Sequence, residues 1–170
     1  MNQNFYDKLN NVIAKDSILT DEPMSRHTTF RVGGPADFFV TPKAKEEVRD
    51  VIRICKEAGM PYYIIGNGSN LLVSDAGYRG VIVQIYKEMN EVKVEGDLVK
   101  AQAGALLSGI AAKALGAELS GFEFASGIPG TIGGACVMNA RAYGGGMKDL
   151  LESATALPGG GKIIEQGRKE

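Results

Sequence analysis

Residues 62–75, YYIIGNGSNLLVSD, open as an apolar run, break into Gly66-Asn67-Gly68-Ser69-Asn70 and turn apolar again at Leu71-Leu72-Val73. Branched and aromatic side chains before the break predict a short strand. Any fold built on that strand must find a use for the five small or polar residues that end it. Where bulky side chains are missing, backbone amides can converge on an anion, and Ser69 and Asn70 add side-chain donors. The same residues equally suit a tight turn that needs positive φ at Gly66 and Gly68. One loop does not separate a diphosphate cradle from a turn.

A second loop, SGIPGTIGG, changes the balance. Pro129 is predicted to open a helix running through Ile132 to Met138, with Gly127, Gly130, Gly133 and Gly134 baring amide donors at its positive end. Close helix packing through Gly133 and Gly134 is the alternative, and it is compatible with ligand contact. Of the 23 glycines, 16 fall in residues 86–170, so this half must contain many turns or close backbone approaches. Two anion-friendly loops in one small protein suggest one extended ligand. Neither GxxxxGK[ST] nor a strand followed by GxGxxG is present, which argues against a P-loop and against a Rossmann dinucleotide site.

The rest of the chain supplies an α/β frame. Phe5, Leu9, Val12 and Ile13 have helical spacing. FRVGGPADFFVTP is predicted as two strands about a Gly33-Gly34-Pro35 turn, and Thr41 as the cap of a helix with Pro42 at its first position and Val48, Val51, Ile52, Cys55 and Ala58 on one face. A strand at residues 81–85 completes β-α-β. VKVEGDLVKAQAG is predicted as a hairpin about Gly96-Asp97. Leu106, Leu107, Ile110, Ala111, Ala114 and Leu115 are predicted to share a helical face, and residues 154–157 and 162–164 to pair as strands. A composition change near residue 95 predicts two lobes, 1–95 and 96–170, without a linker.

Composition excludes several classes. Nineteen basic residues against 20 acidic ones leave no field for nucleic acid or an anionic membrane. No apolar run approaches the roughly 18 residues of a membrane span, and the start lacks a signal-peptide pattern, so a cytoplasmic protein is expected. Cys55 and Cys136 form no CxxC pair, and His27 is the sole histidine. No metal site is predicted, and His27 is expected to be a plain loop residue.

HTTFRVGGPADFFVTP, IIGNGSNLLVSDAGYRGVIV and GFEFASGIPGTIGGACVMNA resemble, in this order and spacing, the N-terminal part of the UDP-N-acetylenolpyruvoylglucosamine reductase (MurB) family. The resemblance spans about residues 1–165. It implies an α+β fold of the FAD-binding PCMH and vanillyl-alcohol-oxidase type, two small α/β subdomains with the flavin between them. Gly66, Asn67, Gly68, Ser69, Asn70 and Leu71 would line the diphosphate. Gly127, Ile128, Pro129, Gly130, Thr131, Gly133 and Gly134 would line the rest of the FAD. Gly104, Ala105, Thr29 and Arg31 match less strongly.

The resemblance further implies NADPH as electron donor, a UDP-sugar bearing an enolpyruvyl group as substrate, and a place in peptidoglycan synthesis. Reduction at one carbon of the enolpyruvyl double bond builds enolate-like charge, so a cationic group and a proton donor are needed. The family's arginine, serine and glutamate for these roles have no counterparts among the 170 residues. No catalytic residue is therefore assigned, and a cofactor-binding half lacking its C-terminal substrate domain, inactive alone, is expected. Another PCMH-type FAD oxidoreductase and a non-catalytic nucleotide-binding fragment stand as alternatives. The sequence also departs from the family's Ala-Gly-Ala-Tyr-Gly-Gly-Glu, with Arg141 at the first glycine and Gly146 at the glutamate. If that glycine serves positive φ, strain of roughly 1 kcal/mol or more is expected at Arg141.

Overall fold

The computed structural model describes residues 3–167. Helix α1 (Gln3–Asn10) leads to strand β1 (Ile18–Pro23), then β2 (Pro35–Val40), α2 (Lys45–Glu57), β3 (Tyr62–Ile65) and β4 (Tyr78–Gln84). These strands form one sheet in the order β1-β2-β4-β3, with β1 antiparallel to β2 and β4 parallel to both β2 and β3.

Although Leu19 on edge strand β1 and Tyr63 and Ile64 on edge strand β3 stay exposed, the sheet carries a core on each face. On one, Phe38, Val40, Val81 and Val83 pack against Phe5 and Leu9 of α1 and Val51, Ile54 and Cys55 of α2. On the other, Ala36, Phe39, Ile65 and Ile82 enclose Met24 beneath Leu71 and Val73. A register shift between Ala36 and Phe38 explains why these two residues, two apart, face opposite ways, since one irregular residue inverts the alternation. Each fully buried branched side chain contributes about 1.5–3 kcal/mol. The apolar run after Asn70 is therefore not a resumed strand: Leu71 and Val73 cover the second face of the sheet, while Leu72 is 73% exposed.

Two predictions fail here. Phe30 and Val32 are exposed and form no strand; the antiparallel partner of β2 is β1, reached across a long connection. Gly33 and Gly34 extend that pairing, accepting from the amides of Ser25 and Met24 at 3.2 and 3.1 Å, so they make no tight hairpin turn. Likewise Thr41 does not cap α2. The helix starts at Lys45 after Ala44, with no side-chain cap, and the Glu47 carboxylate instead accepts from the Lys43 amide at 2.7 Å.

Among the described residues, the second half has only two-stranded sheets. Strands β5 (Val92–Glu95) and β6 (Leu98–Ala101) form the expected hairpin, turning on Gly96 at φ +60°. The residue 95 boundary thus falls on the last residue of β5. Helix α3 (Leu107–Gly116) buries Leu107, Ile110 and Ala114 but leaves Leu106 and Leu115 exposed, so the predicted face is narrower than its spacing suggested. Helix α4 (Ile132–Met138) precedes strands β7 (Arg141–Ala142) and β8 (Gly145–Gly146), helix α5 (Met147–Leu150), and the pair β9 (Ser153–Ala156) with β10 (Ile164–Gly167). Leu107, Ala125, Ala135 and Met147 form a small third core. No helix among the described residues is long and apolar enough to cross a membrane.

Candidate functional site

The loop at residues 66–71 leaves the sheet where β3 ends, and it is wedged from one side by the turn at residues 27–31. Gly68 has φ +70°, and a Cβ there would lie 1.9 Å from the His27 carbonyl oxygen; no other residue fits that approach. The Thr29 amide donates to the Gly68 carbonyl at 3.2 Å. The turn is itself held, because the Thr28 hydroxyl donates to the Val32 carbonyl at 3.0 Å, and Arg31 takes φ +55°.

His27 is more than the plain loop residue expected. Its ring stacks on Phe39 with centroids 3.9 Å apart, and Nε2 lies 3.0 Å from Glu22 Oε1. A core aromatic and an acidic neighbour thus fix the carbonyl against which Gly68 sits. Sequence spacing gave no signal for this, since Glu22, His27 and Phe39 meet only through the β1/β2 pairing.

From the other side the loop meets residues 129–131. The Ser69 hydroxyl donates to the Pro129 carbonyl at 2.9 Å. A Cβ at Gly66 would lie 2.2 Å from Thr131 Oγ1. Thr131 is buried, 2% exposed, and its hydroxyl also faces Gly134, whose ideal Cβ lies 3.6 Å away. The three segments separated in sequence, 27–31, 66–71 and 127–134, therefore converge at one place.

Their hydrogen-bonding groups are unequally free. Among the described residues, no main-chain amide of Gly66, Asn67, Gly68, Ser69, Asn70 or Leu71 donates to a protein acceptor. In the second loop the Ile128 amide donates to Ala125 and that of Gly133 to Ala103, while the amides of Gly127, Gly130, Thr131 and Gly134 are uncommitted within the described residues. Pro129 carries no amide hydrogen. It does not open α4, which starts three residues later after Thr131. The four-glycine arrangement at a helix start is thus corrected: the free donors come mainly from the turn, and Gly133 serves packing, with its ideal Cβ 2.9 Å from Ala103 Cβ.

Gly104 and Ala105 are committed as well, their amides donating to Met89 and Gln102. They line a cavity of about 550 Å³ with Tyr86, Asn90, Gly109 and Lys113, which includes no residue of either loop. Near the β7/β8 turn, the Gly121 amide donates to Glu123, and this holds the Glu123 carboxyl below its ordinary range. Burial pushes the Cys136 thiol up.

Arg141 is not strained. It lies in β7 with an ordinary φ, opposite Gly146, and the left-handed residue is Tyr143 at φ +51°. A Cβ at Gly146 would lie 3.0 Å from both Cγ and Nε of Arg141. The two departures from the family pattern are neighbours in space, the arginine side chain lying where a side chain at 146 would start.

The four-stranded sheet with its covering helices, followed by a smaller part of helices and two-stranded sheets, makes an α+β fold of the class found in FAD-binding domains. A family model described as FAD binding domain matches residues 36–167, and the chain belongs to that family. It is 47% identical over 169 residues to the UDP-N-acetylenolpyruvoylglucosamine reductase of Clostridioides difficile (strain 630), covering 99% of this chain and 56% of that protein. The crystal structure of the reductase (MurB) from Thermus caldophilus matches with a TM-score of 0.72 at 33% identity, over 87% of this chain and 52% of that one. p-Cresol methylhydroxylase with substrate bound matches at 0.67 and 19% identity over 98% of this chain and 35% of that chain, a likeness of fold alone. The chain spans about half the length of the curated relatives it matches.

Proposed function

We propose that this chain is the cofactor-holding part of a UDP-N-acetylenolpyruvoylglucosamine reductase of peptidoglycan synthesis, a cytoplasmic enzyme of cell-wall biogenesis with NADPH as electron donor. The observation that carries the reading is the convergence of two loops, one on each predicted lobe, the first with its amides uncommitted among the described residues and the second with those of Gly127, Gly130, Thr131 and Gly134 so. The 47% identity to a protein of that name agrees with it.

The residues fit FAD. Amides at residues 66–71 supply clustered donors for a diphosphate, and the absence of Cβ at Gly66 and Gly68 lets the backbone pack tightly enough to present them. Gly127, Gly130, Thr131 and Gly134 would offer further donors from the facing loop. Asn67, Asn70 and Leu71 close the first loop, and Ile128, Pro129 and Gly133 shape the second. Bound FAD would supply reversible hydride acceptance and donation. The chain's own work is to bind it, orient it and neutralise its phosphate charge through amide dipoles. Substrate binding and proton donation are assigned to the whole protein rather than to these loops.

The test is spectroscopic. Purified protein should be yellow or take up added FAD with quenching of flavin fluorescence, and the whole protein should oxidise NADPH only when the enolpyruvyl UDP-sugar is present. Colourless protein that ignores saturating FAD would end this reading.

A further inference from the structure

The Ser69 side chain, expected to donate to a phosphate, is spent elsewhere. We infer that Ser69 is a positioning residue that fastens the two loops to each other before the cofactor arrives, and that its main-chain amide, not its hydroxyl, is left to face phosphate. This rests on the FAD reading above.

A serine hydroxyl has one proton. In this structure the proton is directed to the Pro129 carbonyl at 2.9 Å, across 60 residues of sequence. What then remains outward on the oxygen is lone-pair density, which repels phosphate oxygens rather than binding them. A phosphate site needs donors, and the amides of residues 66–71 provide them without the hydroxyl.

A latch also needs a stop, and the structure supplies one. Gly66 approaches Thr131 so closely that an added Cβ would meet Oγ1 at 2.2 Å. Thr131 cannot retreat, being 2% exposed and bridged to Leu106, with the Leu107 amide donating to Gly130 and the Ile132 amide to Ala105. The hydrogen bond draws the loops together and the Gly66 contact limits how far. Together they set one spacing, and a ligand spanning both loops meets them already aligned.

The experiment compares Ser69→Ala and Ser69→Thr with the parent chain, first without cofactor. The measurement is ¹⁵N relaxation of the backbone amides of residues 66–71 and of Gly127, Ile128, Gly130 and Thr131, followed by FAD titration. Ser69→Ala is expected to lower the order parameters of both loops in the cofactor-free protein and to weaken FAD about 3–10-fold, the loss of one neutral hydrogen bond. Ser69→Thr restores both. If Ser69→Ala weakens FAD while the cofactor-free loops stay equally ordered, the hydroxyl is a ligand contact and the latch is refuted. If neither quantity changes, it is refuted as well. Failure of the parent chain to take FAD overturns the cofactor reading alone, because the relaxation comparison does not involve flavin.

Discussion

At the scale of single residues, glycines mark places where other atoms already stand. Gly66→Ala sets a methyl 2.2 Å from Thr131 Oγ1, an overlap that the loops can relieve only by separating. FAD affinity should fall at least ~10-fold, about 1.4 kcal/mol, and the added change Thr131→Ala should recover part of it in the same fluorescence titration. Gly146→Ala is expected to be milder, about 0.5–1 kcal/mol in urea unfolding, because the atoms it meets belong to flexible side chains, Arg141 at 3.0 Å and Asp149 Oδ2 at 3.3 Å. With Arg141→Ala in the background that cost should shrink, leaving the Asp149 contact alone, a non-additivity expected of touching neighbours. The residue types at both loops were legible in the sequence because amide presentation demands small side chains. Which amides are already engaged was not, since Ala103, Ala125 and the carbonyls they offer are fixed by packing alone.

Elements show the same division. Helix α2 was readable from its apolar spacing, and Val48, Val51, Ile52 and Cys55 are buried as expected, but Ala58 is an exposed C-cap and Ile54 joins the buried face instead. Its start was not, because Pro42 is buried instead of standing in the first turn. Burial pushes the Cys55 thiol from its ordinary 9.0 up to about 12. An acid whose folded pKa is raised favours the folded state below its unfolded value, and that contribution is lost as pH climbs from about 9 toward 12. Unfolding midpoints should therefore drop over that window, and Cys55→Ala, though less stable at neutral pH, should show a flatter profile. Iodoacetamide at pH 8 should modify Cys55 only after denaturation. The opposite sign holds at Glu123, whose lowered pKa stabilises the Gly121 turn above the ordinary carboxylate range. That support is lost as acid protonates it, and Glu123→Gln should remove the dependence. Leu115 was misread because spacing reports which residues share a face, not whether anything lies against its edge.

Across the whole molecule, a ligand that grips both loops should stabilise the fold by mass action. At FAD concentrations about 100-fold above Kd the gain is about 2.7 kcal/mol, which for a chain of this length raises Tm by roughly 5–10 °C. A calorimetric scan with and without FAD measures it. The β-α-β unit and the hairpin about Gly96 could be read locally; the pairing of β1 with β2 and the meeting of the loops required knowledge of long-range contacts that no window of sequence holds. The sheet order carries one more consequence. One of its two inner strands, β4, is the last of the four to be made. During translation β2 and β3 emerge with an empty lane between them, their ladder groups exposed until Gln84 clears the ribosome. A pause before that point would leave two unpaired edges open to other nascent chains, whereas arrival of a single seven-residue segment closes both at once.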